Sequence, residues 1–231
     1  MQRHRHAEVS ERRPATIHAV DPASNMVAIA RRKLEILADS PSRKGAFKVT
    51  THVMRGEKLA FDDNTFTHSI TNLGILFYED SLVGATEMYR TLMPGGVAVV
   101  TSWIDLGYFE QVLQPAHSEI RLDDPPLELP LSLDWLSPSH LETTMVRAGF
   151  QEVQITTCKV HHGGRTLDKL VDSLMNTSHS VWAGWTDDER IKFRGFVREM
   201  ATPLAKRYTM PDGNPGFGIP MLATVAVCRK Y

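Results

Sequence analysis

The stretch Thr16–Met26, TIHAVDPASNM, constrains the fold most: an apolar strand that ends on the carboxylate of Asp21 and passes at once into a helix. Such a junction belongs to parallel α/β sheets, where ligands meet the carboxyl ends of the strands. In nucleotide-binding versions the carboxylate normally ends the second strand, after a first strand and a glycine-rich turn. Here only fifteen residues precede Thr16. About 30 residues of strand, loop and helix would be needed to supply that first unit.

Downstream, the pattern alternates. Ser24 or Asn25 can cap a helix with Val27, Ala30, Leu34 and Leu37 on one stripe, close to the 3.6-residue period. FKVTTHV and THSITNLGILF read as strands, EDSLVGATEMYRTL as a helix, and VAVVTSW as a strand apolar on both faces. Pro94 and the Gly95–Gly96 pair predict a turn between the last two. The order strand, helix, strand, strand, helix, strand argues for a mostly parallel, three-layered α/β sheet.

The second half has another texture. Residues 104–136 and 163–215 read as cap segments, rich in short helical pieces and in prolines such as Pro115, Pro125, Pro126 and Pro130. Between them SPSHLETTMVRAGF predicts a helix closed by Gly149, and QEVQITTCKV an edge strand. Two further helices follow, the second opened by a capping box from Thr186 to Glu189, before a final strand, PMLATVAVCRKY. The expected organisation is a flexible arm over residues 1–15 and one domain over 16–231.

Composition narrows the function classes. Lys and Arg total 26 against 27 Asp and Glu, a formal charge of -1, so no global field favours nucleic acid. The apolar runs are strand-sized, which argues against a signal peptide or a membrane span. Two cysteines, Cys158 and Cys228, make no disulfide framework and suit a reducing, cytoplasmic compartment.

The ordered set LAFDDNTF, LMPGGVAVVTSW, a helix ending RAGF before a strand, and a last strand closing ATVAVCRK resembles the class I S-adenosylmethionine-dependent methyltransferases, in the small-molecule branch of secondary metabolism. The likeness runs from Thr16 to Lys230. It implies a Rossmann-like, seven-stranded sheet, mostly parallel with an antiparallel last strand and a helical cap. By that resemblance Asp21 matches the acidic residue on the ribose hydroxyls, with Pro22 and Ala23 along the adenine edge and Gly56 and Glu57 following in the cofactor segment. Asn72 and Leu73 match the segment beneath the methionine portion. Asp21 has a second reading as a helix-start carboxylate that holds backbone amides.

Two departures lead to an expectation of weak S-adenosylmethionine binding. The first strand and glycine-rich loop have no counterpart before Thr16. Arg55 stands where the family usually places an aspartate that accepts from the adenine amino group, and a guanidinium accepts nothing. Thr67 also replaces an acidic residue.

The cap carries Trp103, Tyr108, Phe109, Trp135, Trp182 and Trp185, aromatic walls for a flat small-molecule substrate, with core packing as the alternative use. His117 is the candidate general base. HHGG at His161–Gly164 has no third ligand at metal spacing, so no metal is expected. Three functions compete: methyl transfer to a small acceptor; cyclisation, isomerisation or dehydration on the same fold without S-adenosylmethionine; and a non-catalytic partner subunit. Because the resembling sheet would lack its central strand, a homodimer or a partner chain that completes the sheet is expected.

Overall fold

The computed structural model describes residues 15–38, 47–129 and 131–231. The arm expected over residues 1–15 falls, but for Ala15, outside the described residues. The chain divides into two compact units, Met1–Asp62 and Asp63–Tyr231.

In the first unit, β1 (Ala15–Asp21) leads into α1 (Ser24–Ala38), and β2 (Phe47–Val53) lies parallel to β1 with Ala15 opposite Phe47 and Asp21 opposite Val53. The predicted junction at Asp21 is present. Asp21 Oδ1 accepts the backbone N–H of Ala23 at 2.8 Å, and Met54 N–H donates to the Asp21 carbonyl. Val27, on the predicted stripe, is buried.

In the second unit, β3 (Phe66–Asn72) is followed by a 3-10 turn at Ile75–Phe77, α2 (Ser81–Thr91) and β4 (Leu92–Asp105). The strand read through THSITNLGILF therefore stops at Asn72, where Leu73 turns the backbone to φ 55°. Ile75 and Leu76 go into the core on the 3-10 turn instead. Asp80 caps α2 through the N–H of Val83.

The turn predicted at Pro94–Gly96 is an excursion within β4. Phe66 pairs with Leu92 but His68 with Val97, so three extra residues bulge out of the ladder, and Gly95 at φ 79° supplies the left-handed step.

The cap opens with a π turn at Phe109–Leu113, α3 (Gln114–Ile120) and a 3-10 turn at Leu133–Leu136, before α4 (Pro138–Arg147). Then come β5 (Glu152–Gly164), α5 (Leu167–Thr177), α6 (His179–Trp182), α7 (Asp187–Leu204), β6 (Lys206–Thr209) and β7 (Pro215–Arg229). The α7 capping box is complete, with Thr186 and Glu189 each accepting from the other's backbone N–H.

The strand order in this unit is β3-β4-β7-β5, with β6 added on β7. Strands β3 and β4 are parallel, and β7 runs antiparallel to β4 and β5. The antiparallel last strand is as expected. Among the described residues the seven strands make a two-stranded and a five-stranded sheet, and β1 and β3 each pair on one side only.

Two cores organise the second unit. Ala98, Val100, Ala226 and Cys228 pack with Ala85 and Met88 of α2 and Leu141 and Met145 of α4. Burial in that core pushes the Cys228 thiol up to about 12, so it is an inert thiol. The second core joins Val112, Leu113, Leu170, Leu174, Phe193 and Val197 to Ile219 and Met221 of β7. Trp103, at the carboxyl end of β4, packs against both.

Candidate functional site

The carboxyl ends of the parallel strands carry the polar geometry expected of a ligand site. In the first unit, Asp21 ends β1 with one carboxylate oxygen committed to Ala23. Arg55, half exposed, pairs with Glu57 at 3.1 Å. The candidate cofactor-segment carboxylate thus faces a guanidinium from its own turn, a local ion pair two residues apart.

In the second unit, the end of β3 is tied to its neighbour. Thr101 Oγ1 donates to Asn72 Oδ1 at 2.9 Å and accepts from the Leu73 N–H at 2.8 Å. One β4 hydroxyl therefore fixes both Asn72 and Leu73. The left-handed backbone at Leu73 is costly for a side chain with a Cβ, and such conformations persist where the surroundings over-determine them, often at ligand sites.

In the cap, His117 is 7% exposed and its Nδ1 has no hydrogen-bond partner. One helical turn on, Arg121 Nε is also without a hydrogen bond, while Arg121 Nη2 pairs with Glu189 at 3.1 Å. The Trp185 ring meets both, 5.7 Å from the His117 ring and 4.9 Å from the Arg121 guanidinium carbon. Arg121 is the C-cap of α3, its N–H donating to the His117 carbonyl at 2.9 Å, and its Nε lies 4.0 Å from Asp124 Oδ2, so the buried Nδ1 of His117 is the atom there that lacks a partner.

A cleft of about 560 Å³ opens nearby in the sequence of the cap, lined by Lys169, Asp172, Ser173, Met175, Asn176, Trp182 and Arg194. Asp172 pairs with both Lys169 and Arg194, which hold its carboxyl below the usual range. Ser173 Oγ lies 3.0 Å from His162 Nε2, and burial lowers the pKa of His162, which keeps the ring neutral. Tyr108 leans on His162 with ring centroids 4.8 Å apart, and burial raises its phenol.

Residues 4–100 match the methyltransferase domain family. The [4+2]-cyclase SpnF has a similar structure, with a TM-score of 0.50 at 15% identity over 94% of this chain and 66% of that one, a likeness of fold. The fold is that of the class I methyltransferases. Curated relatives also match in sequence. "Uncharacterized protein Rv1405c" of Mycobacterium tuberculosis is 30% identical over 100 residues, 41% of this chain and 36% of that protein. The ubiquinone/menaquinone biosynthesis C-methyltransferase UbiE of Geobacter sulfurreducens is 34% identical over 95 residues, 40% of this chain and 35% of that one. The matches span about a third of the length of these relatives.

On this methyltransferase fold the candidate residues separate. Asp21, Pro22, Ala23, Gly56 and Glu57 lie in the first unit, and Asn72 and Leu73 with the cap in the second. Phe109, Tyr108, Trp182 and Trp185 share the second core, and His117 touches Trp185 there. Trp135 does not join them: it is 5% exposed in the first core, where Ser102 Oγ donates to its carbonyl. His140 packs edge-on against its ring.

Arg121 and the Ser173–His162 pair were not among the candidates read from the sequence. The signal for Arg121 was its i, i+4 spacing from His117; nothing in the sequence pairs residues 162 and 173. Among the described residues no helix is long and apolar enough to cross a membrane.

Proposed function

We propose that the chain binds S-adenosylmethionine and directs methyl transfer to a small-molecule acceptor of the natural-product type. The observation that carries this reading is Asp21 at the carboxyl end of β1, positioned by the Ala23 N–H, within a segment that matches the methyltransferase domain family. The second Asp21 oxygen is the acceptor for ribose hydroxyls, and the donor set there fits a nucleoside. Arg55 with Glu57 fits less well, since a guanidinium cannot accept from an adenine amino group. When bound, S-adenosylmethionine supplies an electrophilic methyl group. The chain's part is to orient and to move protons: Trp103, Tyr108, Phe109, Trp182 and Trp185 wall the acceptor, and His117 takes its proton.

Calorimetry with S-adenosylmethionine on the full chain tests this. Asp21→Ala removes a charged acceptor, whose hydrogen bonds are worth about 1.5–3 kcal/mol each; the expected loss is roughly 10–100-fold in affinity. Binding unchanged by Asp21→Ala, or no binding at millimolar ligand, overturns the reading.

A second reading keeps the cap chemistry and drops methyl transfer, leaving cyclisation, isomerisation or dehydration. The buried, unpartnered Nδ1 of His117 favours it.

The edge of β3 that carries no strand among the described residues belongs to the same proposal. Its seven residues Phe66–Asn72 include no proline, lysine, arginine, aspartate or glutamate, the devices that usually blunt an edge, and Ile70 is 74% exposed. A second copy of the chain is the partner we assign to it. Light scattering at micromolar concentration is expected to give a dimer that Ile70→Lys converts to monomer. A wild-type monomer, or a dimer indifferent to Ile70→Lys, defeats the assignment.

A further inference from the structure

One cluster in the first unit takes no part in the proposed chemistry, yet it converges three ligand-type atoms. In the β1–β2 ladder His18 stands opposite Thr50, and Val20 opposite His52. A strand repeats every two residues, so His18, Thr50 and His52 share one face. His18 Nδ1 lies 3.1 Å from His52 Nε2, and Thr50 Oγ1 lies 3.0 Å from the first and 3.2 Å from the second. The three atoms form a nearly equilateral triangle.

We propose that His18, Thr50 and His52 form a binding site for a borderline divalent transition-metal ion, of which Zn²⁺ is the probe. An ion about 2.0–2.1 Å from each donor needs donor-to-donor edges of about 3.3 Å in a tetrahedron and about 2.9 Å in an octahedron. The observed edges fall between these values. Such an ion would sit about 1 Å out of the triangle's plane.

The two imidazole rings stack with centroids 5.2 Å apart and 19° between planes, and Phe61 stands edge-on to both, at 5.2 Å from His18 and 5.4 Å from His52. Two imidazole nitrogens that face each other can carry only one proton between them, and a cation takes the place of that proton. Among the described residues no three of His, Cys, Asp and Glu gather at one point, so the third protein donor here is a hydroxyl. Two imidazoles and a hydroxyl make an exchangeable site rather than a closed structural one.

The test is titration of the full chain with ZnCl₂ by calorimetry. The chain has ten histidines, so the readout is the equivalent that a particular substitution removes. We expect one equivalent of Zn²⁺ lost in His18→Ala and in His52→Ala and retained in the double variant His4→Ala/His6→Ala. Thr50→Val leaves both rings in place and is expected to weaken binding roughly tenfold. Two-bond ¹H–¹⁵N spectra should move His18 Nδ1 and His52 Nε2 on addition of Zn²⁺. No binding at millimolar Zn²⁺, binding indifferent to both histidine variants, or shifts confined to other nitrogens overturns the site. If a histidine variant fails to fold by circular dichroism, Thr50→Val and the wild-type spectra decide.

Discussion

Lys230→Met is expected to lower the stability of the second unit by about 3–5 kcal/mol, although it only replaces one residue next to the chain's last. Lys230 is 9% exposed. Its Nζ donates to the Leu92 carbonyl at 2.6 Å, to the Tyr89 carbonyl and Asn64 Oδ1 at 2.9 Å, and lies 4.6 Å from the centre of the Tyr89 ring. Tyr89 is in the last turn of α2 and Leu92 follows it, so the ammonium satisfies carbonyls that the helix end leaves without partners. A cation at that end also opposes the helix dipole. Methionine fills similar volume but leaves buried acceptors unpaired.

The backbone of Lys230 adds a second anchor. Its carbonyl accepts from Gly95 at 2.7 Å and its N–H donates to Gly96 at 3.1 Å, which fastens the β4 bulge. Urea denaturation should show the lower midpoint, and the melting temperature should fall by roughly 6–20 °C. Lys230→Arg keeps the charge on a larger head and should recover part of the loss. A change below about 1 kcal/mol for Lys230→Met would mean that water replaces the ammonium at little cost.

Phe193→Ala is expected to cost about 3–5 kcal/mol, by lost transfer energy and the cavity left behind. Phe193 is fully buried in the second core and meets Trp185 edge-on at 5.2 Å. The same tryptophan carries His117 and Arg121 on its other contacts. The substitution should therefore loosen the candidate ligand cluster as well as the core, seen as a red shift in tryptophan emission before global unfolding in urea. Phe193→Leu keeps most of the volume and should cost less than about 1.5 kcal/mol. If the alanine variant melts like wild type, the cap packs independently of this ring.

These two residues show different degrees of legibility. Phe193 was readable because it repeats with Val197, Met200 and Leu204 behind a capping box, and local periodicity is what a sequence displays. Lys230 was not. Its partners are 138 to 166 residues away, and a lysine beside a chain end reads as solvated until the fold brings α2 carbonyls to it.

Pattern alone determined the kind of element at most positions: β1 into α1 at Asp21, the helix α2, and the glycine that ends α4. Each depends on a few neighbouring residues and on the periods 3.6 and 2.0. Tertiary structure decided what local chemistry leaves open. It ended β3 at a left-handed Leu73 held by Thr101, and sent Trp135 into one core while Trp182 and Trp185 joined another. It also set His18 and His52 nitrogens 3.1 Å apart across a strand pair. Periodicity fixes which way a side chain faces along its own element; which distant backbone or side chain it meets is set by strand register and helix packing, and these depend on the whole chain.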